Sequence, residues 1–232
     1  MNRISSVKST LKKKSTTSYN LISQTGLLWY YPFNETTTTK NISNWASYLP
    51  VLDASLNNYS TIANNMMTIV SPSTQPSGIT INTVVPCSSI NGISFSFWFC
   101  PSSLTGKYGF FATLQDVAGY NGGNRFYIST NPQNCLTVNG QYSTAVLVVN
   151  KVYHCVITIS NPGNGGVVYL NNASTSLSLS YPSFTNVASH NFIGNDPVGN
   201  GFLGWIKQFK LYTRVITADE VNTLYVAGSD IV

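Results

Sequence analysis

The sequence predicts an all-β protein, two antiparallel sheets packed face to face with one short helix near the C-terminus, and three observations carry that expectation. Short apolar or alternating segments recur between clusters of turn-forming residues, the spacing of a sandwich. Within Ile93-Ser94-Phe95-Ser96-Phe97-Trp98-Phe99, strict alternation puts Ile93, Phe95, Phe97 and Phe99 on one face, and Trp98 with Cys100 on the other. Only 8% of residues are charged while Tyr, Phe, Asn, Ser and Thr abound. That balance suits strands with polar loops, since surface helices normally carry Lys and Glu.

The first expected strand occupies residues 27–33, and two short segments follow at 68–70 and 79–84. The alternating aromatic run at 93–100 is the central strand, followed by 108–114 and 125–129. Branched side chains mark 145–149, 152–159 and 167–170, and shorter segments lie at 177–179 and 191–194. The last strand covers 202–212. Turns between them use residues that tolerate positive φ: Asn121-Gly122-Gly123-Asn124, Asn139-Gly140 and the Asn/Pro/Gly run at 161–166. One helix is expected, where Thr217 caps and Glu220, three residues on, completes a capping box. Val221, Leu224 and Tyr225 then share its inward face.

At 232 residues and 43% hydrophobic, the chain can bury one substantial core and is expected to form one domain. The net charge of +5 is uneven: Arg3, Lys8, Lys12, Lys13 and Lys14 precede the first acid, Glu35, while the seven cations from residue 27 onward balance seven acids. Residues 1–26 therefore read as a basic flexible arm and 27–232 as a formally neutral sandwich domain. The arm has no apolar stretch of the length a secretory signal requires; the alternative is a mitochondrial presequence, because Ile4, Val7 and Leu11 share a helical face. No run of about 18 apolar residues suggests a membrane span. Cys87, Cys100, Cys135 and Cys155 are widely spaced with no C-x-x-C pair, which argues against structural zinc; reduced thiols are the default, and three disulfide connectivities remain if the compartment oxidises.

Four segments in order resemble the laminin-G-like domains of the concanavalin A-like jelly rolls: Leu28-Trp29-Tyr30-Tyr31-Pro32-Phe33, Ile93 to Trp98, Tyr153-His154-Cys155-Val156 and Val168-Tyr169-Leu170-Asn171. The closing run, from Phe192-Ile193-Gly194-Asn195-Asp196 through Gly204-Trp205-Ile206 to Leu211-Tyr212-Thr213-Arg214 and the helix, resembles the end of the same domains. The likeness spans about residues 27–226, with Val152 where the family usually has Trp and Asn172 in place of a glycine. It implies a two-sheet antiparallel jelly roll closed by a one-to-two-turn helix, in which His154 is structural; Trp29, Trp45, Trp98 and Trp205 are assigned, as large aromatics, to the core or its edge and not to a sugar platform.

Some relatives on this fold are β-glucanases, which need two carboxyl groups about 5 Å apart. Their E-x-D-x-x-E arrangement is absent; the one close pair, Asp219 and Glu220, falls in the first helical turn, leaving only Asp116 and Asp196 for a dyad built from distant loops. His154 and His190 are the only histidines, both in strand-like surroundings, and no G-x-S-x-G, phosphate loop or H-E-x-x-H occurs. No enzyme activity, metal or cofactor is therefore expected. Calcium, which many relatives bind, would have to use Asp116, Asn121, Asn124, Asn195 and Asp196, and Lys207 and Gln208 stand where the family often has an Asp-Glu pair. Four N-x-[ST] sequons, at Asn34, Asn41, Asn58 and Asn172, are as many as an Asn-, Ser- and Thr-rich chain produces by chance.

The expected function is a non-enzymatic structural or binding module that packs with other proteins of an assembly. The arm residues Arg3, Lys8, Lys12, Lys13 and Lys14 would contact an acidic protein surface or nucleic acid. The combination resembles capsid-associated proteins of large DNA viruses, which implies a virion or cytoplasmic location. The alternative is a glycan-binding lectin, calcium-dependent or not, contacting sugar through Tyr120, Asn121, Asn124 and Asp196.

Overall fold

The computed structural model describes residues 24–34, 41–46, 51–70, 77–104, 109–116, 125–160, 165–178, 188–196 and 200–229. In chain order the strands are β1 (Leu27–Tyr31), β2 (Asn41–Asn44), β3 (Val51–Leu56), β4 (Ser60–Ala63), β5 (Met66–Ile69), β6 (Ile79–Ile81), β7 (Gly92–Pro101) and β8 (Phe110–Gln115). They continue as β9 (Arg125–Thr130), β10 (Cys135–Val138), β11 (Gln141–Val146), β12 (Tyr153–Ser160), β13 (Gly166–Leu170), β14 (Ala173–Leu177), β15 (His190–Ile193) and β16 (Gly204–Tyr212), and helix α1 (Ala218–Ser229) closes the chain. The first sheet runs β14-β13-β12-β7-β16-β5-β4 with β1 also on β16, and the second runs β11-β10-β9-β8-β15-β6-β3-β2. The named strand pairs are antiparallel, as the sequence led us to expect for a jelly-roll sandwich.

The alternation in β7 explains how the layers meet. Phe95, Phe97 and Phe99 point inward and are fully buried. Across the sandwich Phe95 stacks on Phe126 of β9 at 5.5 Å, and Phe97 and Phe99 meet Phe111 of β8 at 5.4 and 4.6 Å. The opposite face of β7 presents Trp98 to α1, where Tyr225 stacks on it at 5.8 Å. Val221 and Leu224 of α1 join Val156, Tyr212 and Ile216 in a second, smaller apolar cluster. The capping box is present: Glu220 N–H donates to Thr217 Oγ1 and Thr217 N–H to Glu220 Oε2 (3.3 and 2.8 Å). Arg214 adds two bonds to the Glu220 carboxylate.

β16 is the strand that ties the first sheet together. One edge pairs with β7; the other serves β5 along Gly204–Ile206 and β1 along residues 209–212. A bulge between Lys207 and Lys210 separates the two stretches, with Gln208 at φ 51, so the extra residue bends the strand between its two partners.

Several expectations are corrected. β2, β3, β4 and β10 were not foreseen, and β14 lies earlier than segment 177–179. β2, β4 and β14 are short and rich in Asn, Ser and Thr, and β10 has only four residues, so pairing and not apolar periodicity defines them. The expected strand at 145–149 is mostly loop: β11 ends at Val146, Leu147 N–H donates to Asn134 O and Val148 N–H to Tyr153 Oη, leaving only Leu147 buried. α1 has 12 residues and not one to two turns. Of the tryptophans assigned to the core or its edge, Trp45 is 40% exposed, Trp29 is fully buried and Trp98 nearly so. The Asn139-Gly140 turn is as expected, with φ of 45 and 84 in the two residues joining β10 to β11. The turns at 121–124 and 161–164 lie outside the described residues.

Candidate functional site

On the second sheet, the inward residues Leu114, Phe126, Ile128, Leu136, Val138 and Ile193 belong to the core. Period-two alternation therefore turns Thr113, Gln115, Arg125, Tyr127, Ser129, Thr137, His190 and Phe192 to the outer face. Cross-strand register sets them in rows. Arg125 of β9 lies opposite Gln115 of β8, which lies opposite His190 of β15. The next row is Tyr127, Thr113, Phe192 and Thr80.

Arg125 fixes one side of this face. Its guanidinium lies 4.6 Å from the Phe110 ring centre and 5.2 Å from that of Tyr127, and the two rings meet edge to face at 5.4 Å. Nη2 donates to Asp196 Oδ2 at 3.2 Å. The fully buried Asp196 also accepts from Asn200, whose backbone N–H reaches Oδ1 at 2.7 Å and whose side-chain amide reaches Oδ2 at 3.1 Å. A carboxylate removed from water needs such donors, and the pair holds the arginine over the two rings.

Beside this pair lie polar groups with hydrogen-bonding capacity unused. Gln115 Nε2, Ser129 Oγ, Thr137 Oγ1 and both amide atoms of Asn195 are buried and make no hydrogen bond. Buried polar atoms are nearly always paired, so this concentration on one face is informative. At the other end of the first row, Ser189 Oγ donates to Asp116 O and lies 3.0 Å from His190 Nδ1. With its own proton committed to Asp116 O, the hydroxyl can accept from His190 Nδ1, and in that tautomer His190 Nε2 is an acceptor. The face thus offers donors, acceptors and the partly exposed rings of Tyr127 and Phe192, with Tyr142 exposed on β11.

Asp196 is the one sequence-selected glycan residue among those described; it is fully buried and holds Arg125 in place. Tyr120, Asn121 and Asn124 lie outside the described residues, as do Arg3, Lys8, Lys12, Lys13 and Lys14. Gln115, Tyr127, His190 and Phe192 were not selected as ligand contacts, because only the register places them in rows. Arg125 directly follows Asn124, one of the positions the sequence selected for sugar contact.

Calcium does not fit the described part of this site. Asp196 already accepts three N–H bonds, one from a guanidinium whose charge opposes a dication, and no group of three or more His, Cys, Asp or Glu that could hold a metal occurs among the described residues. His154 is a core group: its Nε2 lies 3.1 Å from Ser96 Oγ and its ring stacks on Trp98 at 4.8 Å. Burial, reinforced by the charge of Lys210, pushes it down to about 3. None of the four cysteines is in a disulfide, and burial pushes Cys87 up to about 12. No described helix is long and apolar enough to cross a membrane.

Two antiparallel sheets with an aromatic interior, a closing helix and a polar outer face define the class of lectin-like β-sandwiches. The chain belongs to the concanavalin A-like lectin/glucanases superfamily, whose Laminin_G_3 family model matches residues 73–222. No curated protein matches the sequence. Similar solved structures include Trypanosoma rangeli sialidase in complex with sialic acid (TM-score 0.67, 13% identity), covering 89% of this chain and 33% of that one. Domain 4 of AbnA, a GH43 extracellular arabinanase from Geobacillus stearothermophilus, in complex with arabinotriose, has a TM-score of 0.58 and 18% identity, covering 88% of this chain and 100% of that one. The binding domain of Paraclostridial Mosquitocidal Protein 1 has a TM-score of 0.60 and 15% identity, covering 86% and 52%. At these identities the likeness is one of fold, and the chain spans about a third of the sialidase's length.

Proposed function

We propose that this chain is a non-catalytic carbohydrate-binding module whose ligand lies across the outer face of the second sheet. The observation that carries it is the row Arg125, Gln115 and His190, paired across β9, β8 and β15, in which Gln115 Nε2 makes no hydrogen bond, next to the row that holds Tyr127 and Phe192. Sugars present alternating hydroxyl donors and acceptors and apolar C–H faces, which this combination matches. That one structure of the same fold, the arabinanase domain, is in complex with arabinotriose supports the reading by analogy. The absence of catalysis is part of the proposal: Asp196 and Glu220 are each paired with an arginine, unlike the free dyad that glycoside hydrolysis requires.

The test is titration of the full chain with an oligosaccharide panel, beside a reducing-sugar assay. Binding without hydrolysis is expected, and Tyr127→Ala should weaken it about tenfold, the loss of one stacking face at about 1.4 kcal/mol. Binding indifferent to Tyr127→Ala, or sugar release, would count against the proposal.

A second reading rests on charge. Five cations precede residue 26 while the remainder is formally neutral, a distribution suited to tethering the module to an acidic partner in a larger particle, such as a virion, or in the cytoplasm. Deleting residues 1–26 should then abolish incorporation; unchanged incorporation would end that reading.

A further inference from the structure

We infer that the outer face of the second sheet selects uncharged saccharides and rejects those bearing a carboxylate; this rests on the carbohydrate-binding reading above. Recognition of an acidic sugar needs a cation with charge to spare, usually a guanidinium bonded through two N–H groups. Arg125 is the one cation among the described residues of this face, and its charge is matched by Asp196 at 3.2 Å. The arrangement is fixed on every side: the guanidinium is clamped by the rings of Phe110 and Tyr127, and Asp196 is fully buried and held by Asn200. Turning Arg125 toward a ligand would leave a buried carboxylate without its counter-ion, a large penalty.

The other described cations lie elsewhere. Lys207, Lys210 and Arg214 are on or just beyond β16 of the first sheet, Arg214 is bound to Glu220, and Lys151 precedes β12 with its ammonium over Tyr153. The segments that follow β8 and β15, residues 117–124 and 197–199, contain no charged residue, and neither do residues 179–187 ahead of β15. Asp116, at the end of β8 next to Gln115, adds a negative charge to the same end of the face. A ligand carboxylate would meet an anion and a spent cation, whereas a hydroxyl meets Gln115 Nε2, an amide donor 97% buried and lacking an acceptor, and His190 Nε2. Pairing a buried donor that has none is the gain a neutral sugar brings.

The experiment compares matched neutral and acidic ligands on the full chain: lactose with sialyllactose, galactan with oligogalacturonate, and neutral arabino- and xylo-oligosaccharides, by calorimetry. Binding confined to the neutral set is expected, changing less than about twofold as salt rises from about 0.05 to about 0.5 M. Gln115→Met should weaken binding at least about tenfold with little change in thermal stability, because it keeps the buried volume and removes an Nε2 that makes no hydrogen bond in the free protein. Stronger, salt-sensitive binding of the acidic members would overturn the selectivity while leaving the carbohydrate reading intact. The same holds if acidic binding is lost in Lys107→Ala, which would place that lysine at the ligand. Failure to bind either set would overturn both.

Discussion

His154 carries a pH signature that falls between neutral and acid pH. It is 1% exposed, its Nδ1 makes no hydrogen bond, and burial with the neighbouring Lys210 charge pushes it from 6.5 down to about 3. The unfolded chain takes up a proton there below 6.5 while the folded chain does not. The stability it contributes is therefore complete above pH 6.5 and is lost as pH falls toward 3, at up to about 1.4 kcal/mol per pH unit. Urea midpoints measured from neutral pH to pH 5 should fall in the native protein and fall less steeply in His154→Gln. An equal slope in both would assign the proton uptake to another group. The sequence placed His154 in a strand and read it as structural, but its stacking on Trp98 depends on the register of β7 against β12.

α1 illustrates what a segment's own residues can reveal and what its docking adds. Thr217 and Glu220 mark its start, and Val221 and Leu224 its buried stripe, because capping and helical periodicity involve residues only three or four apart. Its length was not legible: the last turns pack on Trp98, contributed by a strand distant in sequence. Gly228 records that contact, since a Cβ there would lie 2.2 Å from Trp98 Nε1. Gly228→Ala should therefore destabilise the protein by about 1–3 kcal/mol, reversing the roughly 1 kcal/mol that alanine normally gains in a helix. A variant as stable as the parent in thermal unfolding would show that the helix end shifts freely. β10 and β11 make the converse case. The Asn139-Gly140 turn was readable, yet the strands on either side carry Thr, Gln and Ser whose faces are set only by pairing with β9.

At the scale of the whole molecule, the aromatic layer between the sheets sets stability. Phe97 touches Phe99, Phe111 and Phe209 at 5.7, 5.4 and 5.4 Å. Phe97→Ala should cost about 3–5 kcal/mol and lower the melting temperature by roughly 6–20 °C. Tyr142→Ala, at a ring 56% exposed on the edge strand β11, should change stability by less than about 0.5 kcal/mol. Equal effects of the two would mean that this interior is not the source of cohesion. The sequence by itself determined the fold class, the inward face of β7 and the capped helix, because alternation and capping are written in residues close along the chain. The tertiary structure alone decided the candidate site: Arg125 and Asp196 are 71 residues apart, and Gln115 meets His190 only through the antiparallel register of β8 and β15. Long-range pairing depends on how all the strands fill one core, a choice made by the assembled sandwich and not by any one segment.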